Sequence, residues 1–241
     1  MAGMDELREQ VAKACRVLGK LELTKSASGH ISARVPGTDT LAIRARGPGE
    51  TGVRYTAADD VIVVDFDGKK LSGRADLEPP QEVFIHTWLY RTRPEVQSVV
   101  HVHPLTVVLF TICNKPLLPL FGAYDPSSLR LLMEGLATYP RSITVSNEKL
   151  GAEFAEAMSG KAACLMRGHG ITTCGKTVAE ATLTAIRLNE LAEMNYRARL
   201  LGEPQPIPAD EIAQITSGGK GRDVHAASSW RYYCSLAGEE A

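Results

Sequence analysis

Apolar residues Leu7, Val11, Ala14, Cys15 and Leu18 recur at helical spacing, so the chain opens with an amphipathic helix. From Ser26 to Val35 the text SASGHISARV reads as a glycine turn running into an alternating strand, and TLAIRA continues as a second strand. RGPGETG follows as a loop, and VIVVDFDGKKLSG reads as a buried strand, a tight turn and a short return strand. Between Pro79 and Arg93 the apolar spacing is helical, with Pro79 and Pro80 suited to the first turn and Glu82 in it. SVVHVHP predicts a β-branched strand, and helices are predicted over Leu105 to Cys113 and Pro126 to Thr138. SITV reads as a strand, and Asn147 as the cap of a helix reaching Met158. AACLMRGHGITTCG reads as two strand segments around a Gly-His-Gly turn, and a long helix runs from Thr177 to Leu201 before Gly202.

No repeat or long linker divides this pattern, and it lacks the strict βαβ rhythm of a doubly wound sheet. It predicts an α/β fold with one domain, a central, mostly antiparallel sheet flanked by helix layers. Residues 1–215 form the catalytic unit in this reading. Residues 216–241 form a flexible tail whose WRYYC segment docks near the active site.

Composition narrows the function classes. The 241 residues are 44% hydrophobic and 23% charged, with a net charge of -1, which lacks the basic excess of a nucleic-acid binder. No apolar run is long enough to span a membrane, and the charged N-terminus does not read as a signal peptide. Five cysteines without a CxxC pair suit reduced thiols, so a soluble cytoplasmic protein is expected.

Chemistry gathers on histidine. His101 and His103 stand two apart on a predicted strand, where side chains two apart share a face, and so make a bidentate metal platform. The bland alternative is a pair of polar residues on a half-exposed strand. The valines around them argue against it, because two unpaired buried histidines are costly. His169 lies between Gly168 and Gly170, and a third imidazole would leave an open coordination position, as catalytic metal sites require. Glu82 stands about 19 residues before the His-x-His pair, with His86 one helical turn further on, so Glu82 is either a ligand or a proton shuttle.

SGHIS, EVFIH, RPEVQSVVHVHP and LMRGHGITTCGKTVAEA together resemble the class II aldolase/adducin superfamily over most of the chain. The resemblance implies that His101, His103 and His169 bind one divalent metal ion, Zn2+ or Mn2+ with Co2+ or Fe2+ also suitable. It implies that Glu82 is the fourth ligand or the acid/base; His86, on the same helix face, is the less favoured candidate for the acid. It also implies a homotetramer with active sites at subunit interfaces, reached by tail residues such as Tyr232.

Members acting on sugar phosphates hold the phosphate with an Asn, a Thr-rich loop and a Ser pair before the glutamate. The corresponding positions here read His30, Arg44-Ala45-Arg46-Gly47 and Pro80-Gln81. Arg44 and Arg46 share strand parity, and guanidinium groups suit carboxylates. With His30, Ser28 and Gly29 they are expected to bind a small carboxylated substrate.

The chain therefore resembles the branch of metal-dependent decarboxylases acting on ortho-hydroxy aromatic acids such as dihydroxyphthalates. Two alternatives stay open. One is an aldolase for an unphosphorylated hydroxy-keto acid, or a sugar-phosphate aldolase or epimerase; the other is a non-catalytic, adducin-like interaction domain.

Overall fold

The structure, a computed structural model, describes residues 3–217 and 222–240. In chain order the elements are α1 (Met4–Lys20), β1 (His30–Arg34), β2 (Thr40–Arg44), β3 (Val61–Asp65), β4 (Lys70–Ser72), α2 (Val83–Thr92) and β5 (Ser98–Val102). They continue with α3 (Leu105–Ile112), α4 (Pro126–Glu134), β6 (Ala137–Tyr139), α5 (Glu148–Met158) and β7 (Ala163–Met166). The last are β8 (Gly170–Gly175), α6 (Val178–Leu201), α7 (Ala209–Ser217) and α8 (Arg222–Ala237). All eight strands join one sheet in the order β4-β3-β2-β1-β5-β8-β7-β6. Every pairing is antiparallel except β6 with β7, so the fold is the expected single α/β domain with a mostly antiparallel sheet.

Alternation along the strands sorts the side chains onto two faces. Ile31, Ala33, Ala42, Val100, Val102 and Ile171 pack against α1 and α6. Leu41, Ile43, Val64, Val99, Cys164 and Met166 face the layer built by α2 and α5. Helix α1 forms because its stripe from Leu7 to Leu18 is buried, with Asp5 and Glu6 in the first turn and Lys20 in the last, each suited to the helix dipole. Asn147 caps α5 by accepting the amide of Leu150, and Thr177 caps α6 by accepting that of Glu180.

Register is what places the site. His30 pairs with His101 across β1 and β5, and His101 pairs with Thr172 across β5 and β8. These three residues form one row on the α2 face. The start of β1, the end of β2, the end of β5 and the start of β8 all lie at the same edge of the sheet. The loops leaving that edge carry Gly29, Arg46, His103 and His169.

Three segments differ from their sequence reading. The helix expected over Pro126 to Thr138 stops at Gly135, and Ala137–Tyr139 instead forms β6, parallel to β7, burying Ala137 and Tyr139. SITV is not a strand: the amide of Val145 is spent on the Glu82 carboxylate, outside any ladder. The tail expected to be flexible from residue 216 is helical over Arg222–Ala237, where Cys234, Trp230 and Tyr233 pack onto the core. The Ser217 to Gly221 stretch, read as flexible, falls mostly on residues 218–221, outside the described residues. Among the described residues no helix is long and apolar enough to cross a membrane.

Because α2 is held to the sheet by Ile85 and Leu89, both fully buried, L89A is expected to cost about 2–5 kcal/mol in urea unfolding. L71A, on the half-exposed edge strand β4, is expected to stay within about 0.5 kcal/mol of the parent chain.

Candidate metal centre

Strand β5 ends at Val102, so His101 is a strand residue and His103 lies just beyond it. The shared-face rule is therefore only half the reason the two rings meet. The other half is Gly170: a Cβ there would lie 2.4 Å from the Val102 carbonyl and 2.5 Å from His103 Cδ2. Only glycine lets the first residue of β8 pass this close, and its neighbour His169 is thereby brought over the end of β5. Glu82 stands at the N-terminal end of α2, as its capping residue and not inside its first turn. Its Oε1 accepts the Val145 amide at 2.9 Å, which aims Oε2 at the histidines.

The four side chains converge. One ligand atom from each of Glu82, His101, His103 and His169 lies within 4.8 Å of all the others. Glu82 Oε2 is 3.3 Å from Nε2 of both His101 and His169, and the Nε2 atoms of His101 and His103 are 2.9 Å apart. Ligand atoms about 2.0–2.1 Å from one tetrahedral ion sit about 3.3 Å from each other. The observed spacings fit that shell.

Protonation also fits. The Thr172 hydroxyl donates to Met166 Sδ at 3.4 Å, so its oxygen accepts from His101 Nδ1 at 3.1 Å. This assigns the proton of His101 to Nδ1 and turns the Nε2 lone pair toward Glu82 and His103. Burial lowers the pKa of His103 to about 3, helped by the facing His101 and His169, so the ring is a neutral donor of electrons at pH 7. Burial works to raise the pKa of the Glu82 carboxyl, while the Val145 amide donated to Oε1 favours its ionised form. A carboxylate oxygen and three imidazole nitrogens gathered around one point are the donor set of a divalent ion such as zinc.

Beside this cluster runs a buried chain of polar groups. His30 Nδ1 is 2.7 Å from His86 Nε2, His86 Nδ1 is 2.6 Å from Ser32 Oγ, and Ser32 Oγ is 2.7 Å from the Tyr90 hydroxyl. The His30 ring stacks on His101 with centroids 5.0 Å apart. Burial first, and then the neighbouring rings, lower the pKa of His30 and bring that of His86 to about 3.

Two expectations need correction. His86 is fully buried with both nitrogens engaged, so it cannot reach a substrate as an acid. Arg44 shares parity with Ala42 and so points to the α1 face, away from His30. The residue is 1% exposed, and its guanidinium spends four of its five N–H groups on Glu50, Thr56 and the carbonyls of Ala27 and Gly29, so it is sealed on the α1 face and does not reach a substrate carboxylate beside His30.

The remaining expected contacts are spread more widely. Arg46 is exposed, with its Nε on Glu50 at 2.8 Å. Gly29 holds a φ of 89° in the turn before β1, next to the His101 carbonyl, and the half-buried Ser28 precedes it. Tyr232 is 61% exposed on α8, which packs on α1 and α6, so it lies away from the α2 face of its own chain. Ser32, Tyr90, Val145 and Thr172 were missed by sequence reasoning. Two of them left a signal: Ser32 shares the strand face of His30, and Tyr90 follows His86 by one helical turn.

The buried rings make stability fall with acidity. Unfolded, His86 takes up a proton near its ordinary 6.5, whereas folded it does so only near 3. Between these values the unfolded chain binds more protons, so stability is fully present above pH 6.5 and declines as pH falls toward 3. Urea midpoints of the metal-free chain are expected to drop steadily across that window; a flat profile would contradict the neutral, buried assignment.

The Class II Aldolase and Adducin N-terminal domain profile matches residues 9–196. The chain is 37% identical over 234 residues to 3,4-dihydroxyphthalate decarboxylase of Terrabacter sp. (strain DBF63), covering 96% of this chain and 97% of that protein. It is 36% identical over 230 residues to the enzyme of the same name from Arthrobacter keyseri, covering 93% of this chain and 91% of that protein. The fold matches an L-fuculose 1-phosphate aldolase from Glaciozyma antarctica PI12 with a TM-score of 0.81 at 21% identity, covering 100% of this chain and 94% of the other. The profile spans most of the chain, including the segments bearing Glu82 and the three histidines. The chain belongs to the class II aldolase and adducin family.

Proposed function

We propose that this chain is a divalent-metal-dependent carbon–carbon lyase that decarboxylates an ortho-hydroxy aromatic dicarboxylate of the dihydroxyphthalate class. The observation that carries the reading is the near full-length likeness to dihydroxyphthalate decarboxylases in a chain whose Glu82, His101, His103 and His169 converge on one point. These four residues would hold the ion in the substrate-free chain, and Glu82 would yield its place to substrate and serve as the proton carrier, with Zn2+ or Mn2+ the best suited to the donor set and Co2+ or Fe2+ also compatible. Bound there, a divalent ion acts as a Lewis acid that stabilises negative charge on substrate oxygens.

The protein groups relay the proton. Glu82 is ionised as it stands, so it first takes the proton of the substrate hydroxyl beside the departing carboxylate. It then delivers that proton to the ring carbon bearing the carboxylate. The bond to carbon dioxide breaks, its electron pair returns to the ring, and solvent restores the hydroxyl proton. The Val145 amide on Oε1 keeps Oε2 aimed into the site through both transfers. His30, whose Nε2 makes no protein hydrogen bond among the described residues, faces the second carboxylate. Ser28, Gly29 and Arg46 lie in the loops leaving the same edge of the sheet, from which Arg46, exposed and on the α1 side, would reach the substrate only around that edge.

The assembly we propose is a cytoplasmic homotetramer with its sites at subunit interfaces. Leu105 and Ile112 on α3 are 65% and 59% exposed, and Thr111 of that helix binds the Gly168 amide beside His169. An apolar face at this edge supports contact with a second copy, from which Tyr232 would reach the site. The five free cysteines suit a reducing compartment.

The test is to load the chain with Zn2+ or Mn2+, add 3,4-dihydroxyphthalate and follow CO2. Stoichiometric release is expected. Absence of CO2, with pyruvate or an aldehyde formed from hydroxy-keto acids, would overturn the reading in favour of an aldolase. E82Q is expected to keep the ion on its three histidines while turnover falls about 10²–10⁴-fold; undiminished turnover would remove Glu82 from the proton path.

A further inference from the structure

The chain of contacts from Tyr90 to His30 has a direction that hydrogen counting fixes. Tyr90 is 1% exposed, and among the described residues the side-chain partner of its hydroxyl is Ser32 Oγ. A buried phenol must donate its proton, so Tyr90 donates to Ser32. Ser32 has one proton and a second contact, so it donates to His86 Nδ1. His86 Nδ1 is then an acceptor and its proton sits on Nε2, from which it donates to His30 Nδ1. With His30 Nδ1 accepting, the proton of that ring sits on Nε2. Three contacts and three protons match, and every group is satisfied in this sense only. The reverse sense would leave the Tyr90 proton without an acceptor, at a cost comparable to a lost hydrogen bond.

His30 Nε2 is the open end of the chain. The residue is 3% exposed, Nε2 has no protein partner among the described residues, and it is not among the sealed polar atoms. The ring lies against His101, so this nitrogen borders the metal cluster.

We propose that Tyr90 and Ser32 are positioning residues that lock His86, and through it His30, in the Nε2–H form, so that His30 offers a fixed hydrogen-bond donor to an anionic oxygen of the substrate. The site thereby selects a ligand that presents an acceptor, a carboxylate or a developing oxyanion, and disfavours one that presents a hydroxyl or amine donor at that point. His30 is not the proton source, because giving up Nε2–H would draw a proton along the whole chain and leave a tyrosinate in the core. Burial raises the Tyr90 pKa far above its ordinary value, which opposes that outcome. The identity of the acceptor rests on the decarboxylase reading; the direction of the chain does not.

Long-range 1H–15N correlation spectra of histidine-labelled protein, as purified and after zinc loading, read the tautomers directly, with His30→Gln and His86→Gln spectra for assignment. Nε2–H on both rings is expected, and Nδ1–H on either would overturn the proposal even if the protein decarboxylates dihydroxyphthalate. Y90F is expected to release the His86 tautomer and to weaken binding of phthalate, a dicarboxylate without hydroxyls, about tenfold with metal content unchanged. S32T, which keeps the hydroxyl, is expected to retain phthalate affinity, and S32A to lose it. Parent-like tautomer and affinity in Y90F would remove Tyr90 from the role. If the tautomers are as expected and no CO2 forms, the positioning chain stands and the decarboxylase reading falls.

Discussion

A carboxylate and three imidazoles brought together in a largely buried place are expensive unless something compensates them, and the architecture around the edge of β5 follows from that constraint. The groups are wholly or partly withdrawn from water, and His101 keeps its proton outside the shared space. A divalent ion is the compensation that the geometry admits. The supporting contacts all serve this convergence: Gly170 is bare so that β8 can close over His103, Thr172 holds the His101 proton on the far side, and Val145 gives up a ladder bond to steer Glu82.

The layered fold supplies the rigidity that this arrangement needs. Three neighbouring antiparallel strands, β1, β5 and β8, set His30, His101 and Thr172 in one row by register alone. Helix α2 then brings Glu82 at one end, and His86 and Tyr90 further along, against that row. A site carried on strands and a helix cap holds its atoms more tightly than one carried on loops. Only His103 and His169 come from connections, and both are pinned by the passage at Gly170.

Much of this is legible in the amino-acid sequence. Period-two runs mark the central strands, helical spacing and caps mark α1, α5 and α6, and a His-x-His pair in a valine-rich strand marks the metal platform. What the sequence does not reveal depends on direction and on long-range contact. Arg44 and Arg46 do share parity, but parity does not say which face is which, and theirs is the α1 side, where Glu50 and main-chain carbonyls hold Arg44. His86 lies on the right helix but one layer behind the site, a difference that only the contacts to Ser32 and His30 reveal. SITV has strand composition, yet its backbone serves Glu82, a demand arising from residues far away in sequence. The helical ending of the chain escapes notice because its apolar residues follow a glycine-rich stretch that reads as a release from the fold.

The central claim is that Glu82, His101, His103 and His169 hold one divalent ion. Metal content of the purified chain by elemental analysis, beside that of H103A, tests it most directly. One ion per chain that is lost in H103A, with a parent-like circular dichroism spectrum, is the result the account predicts. A metal-free parent chain that cannot be loaded, or an H103A variant that retains its ion in full, would contradict it.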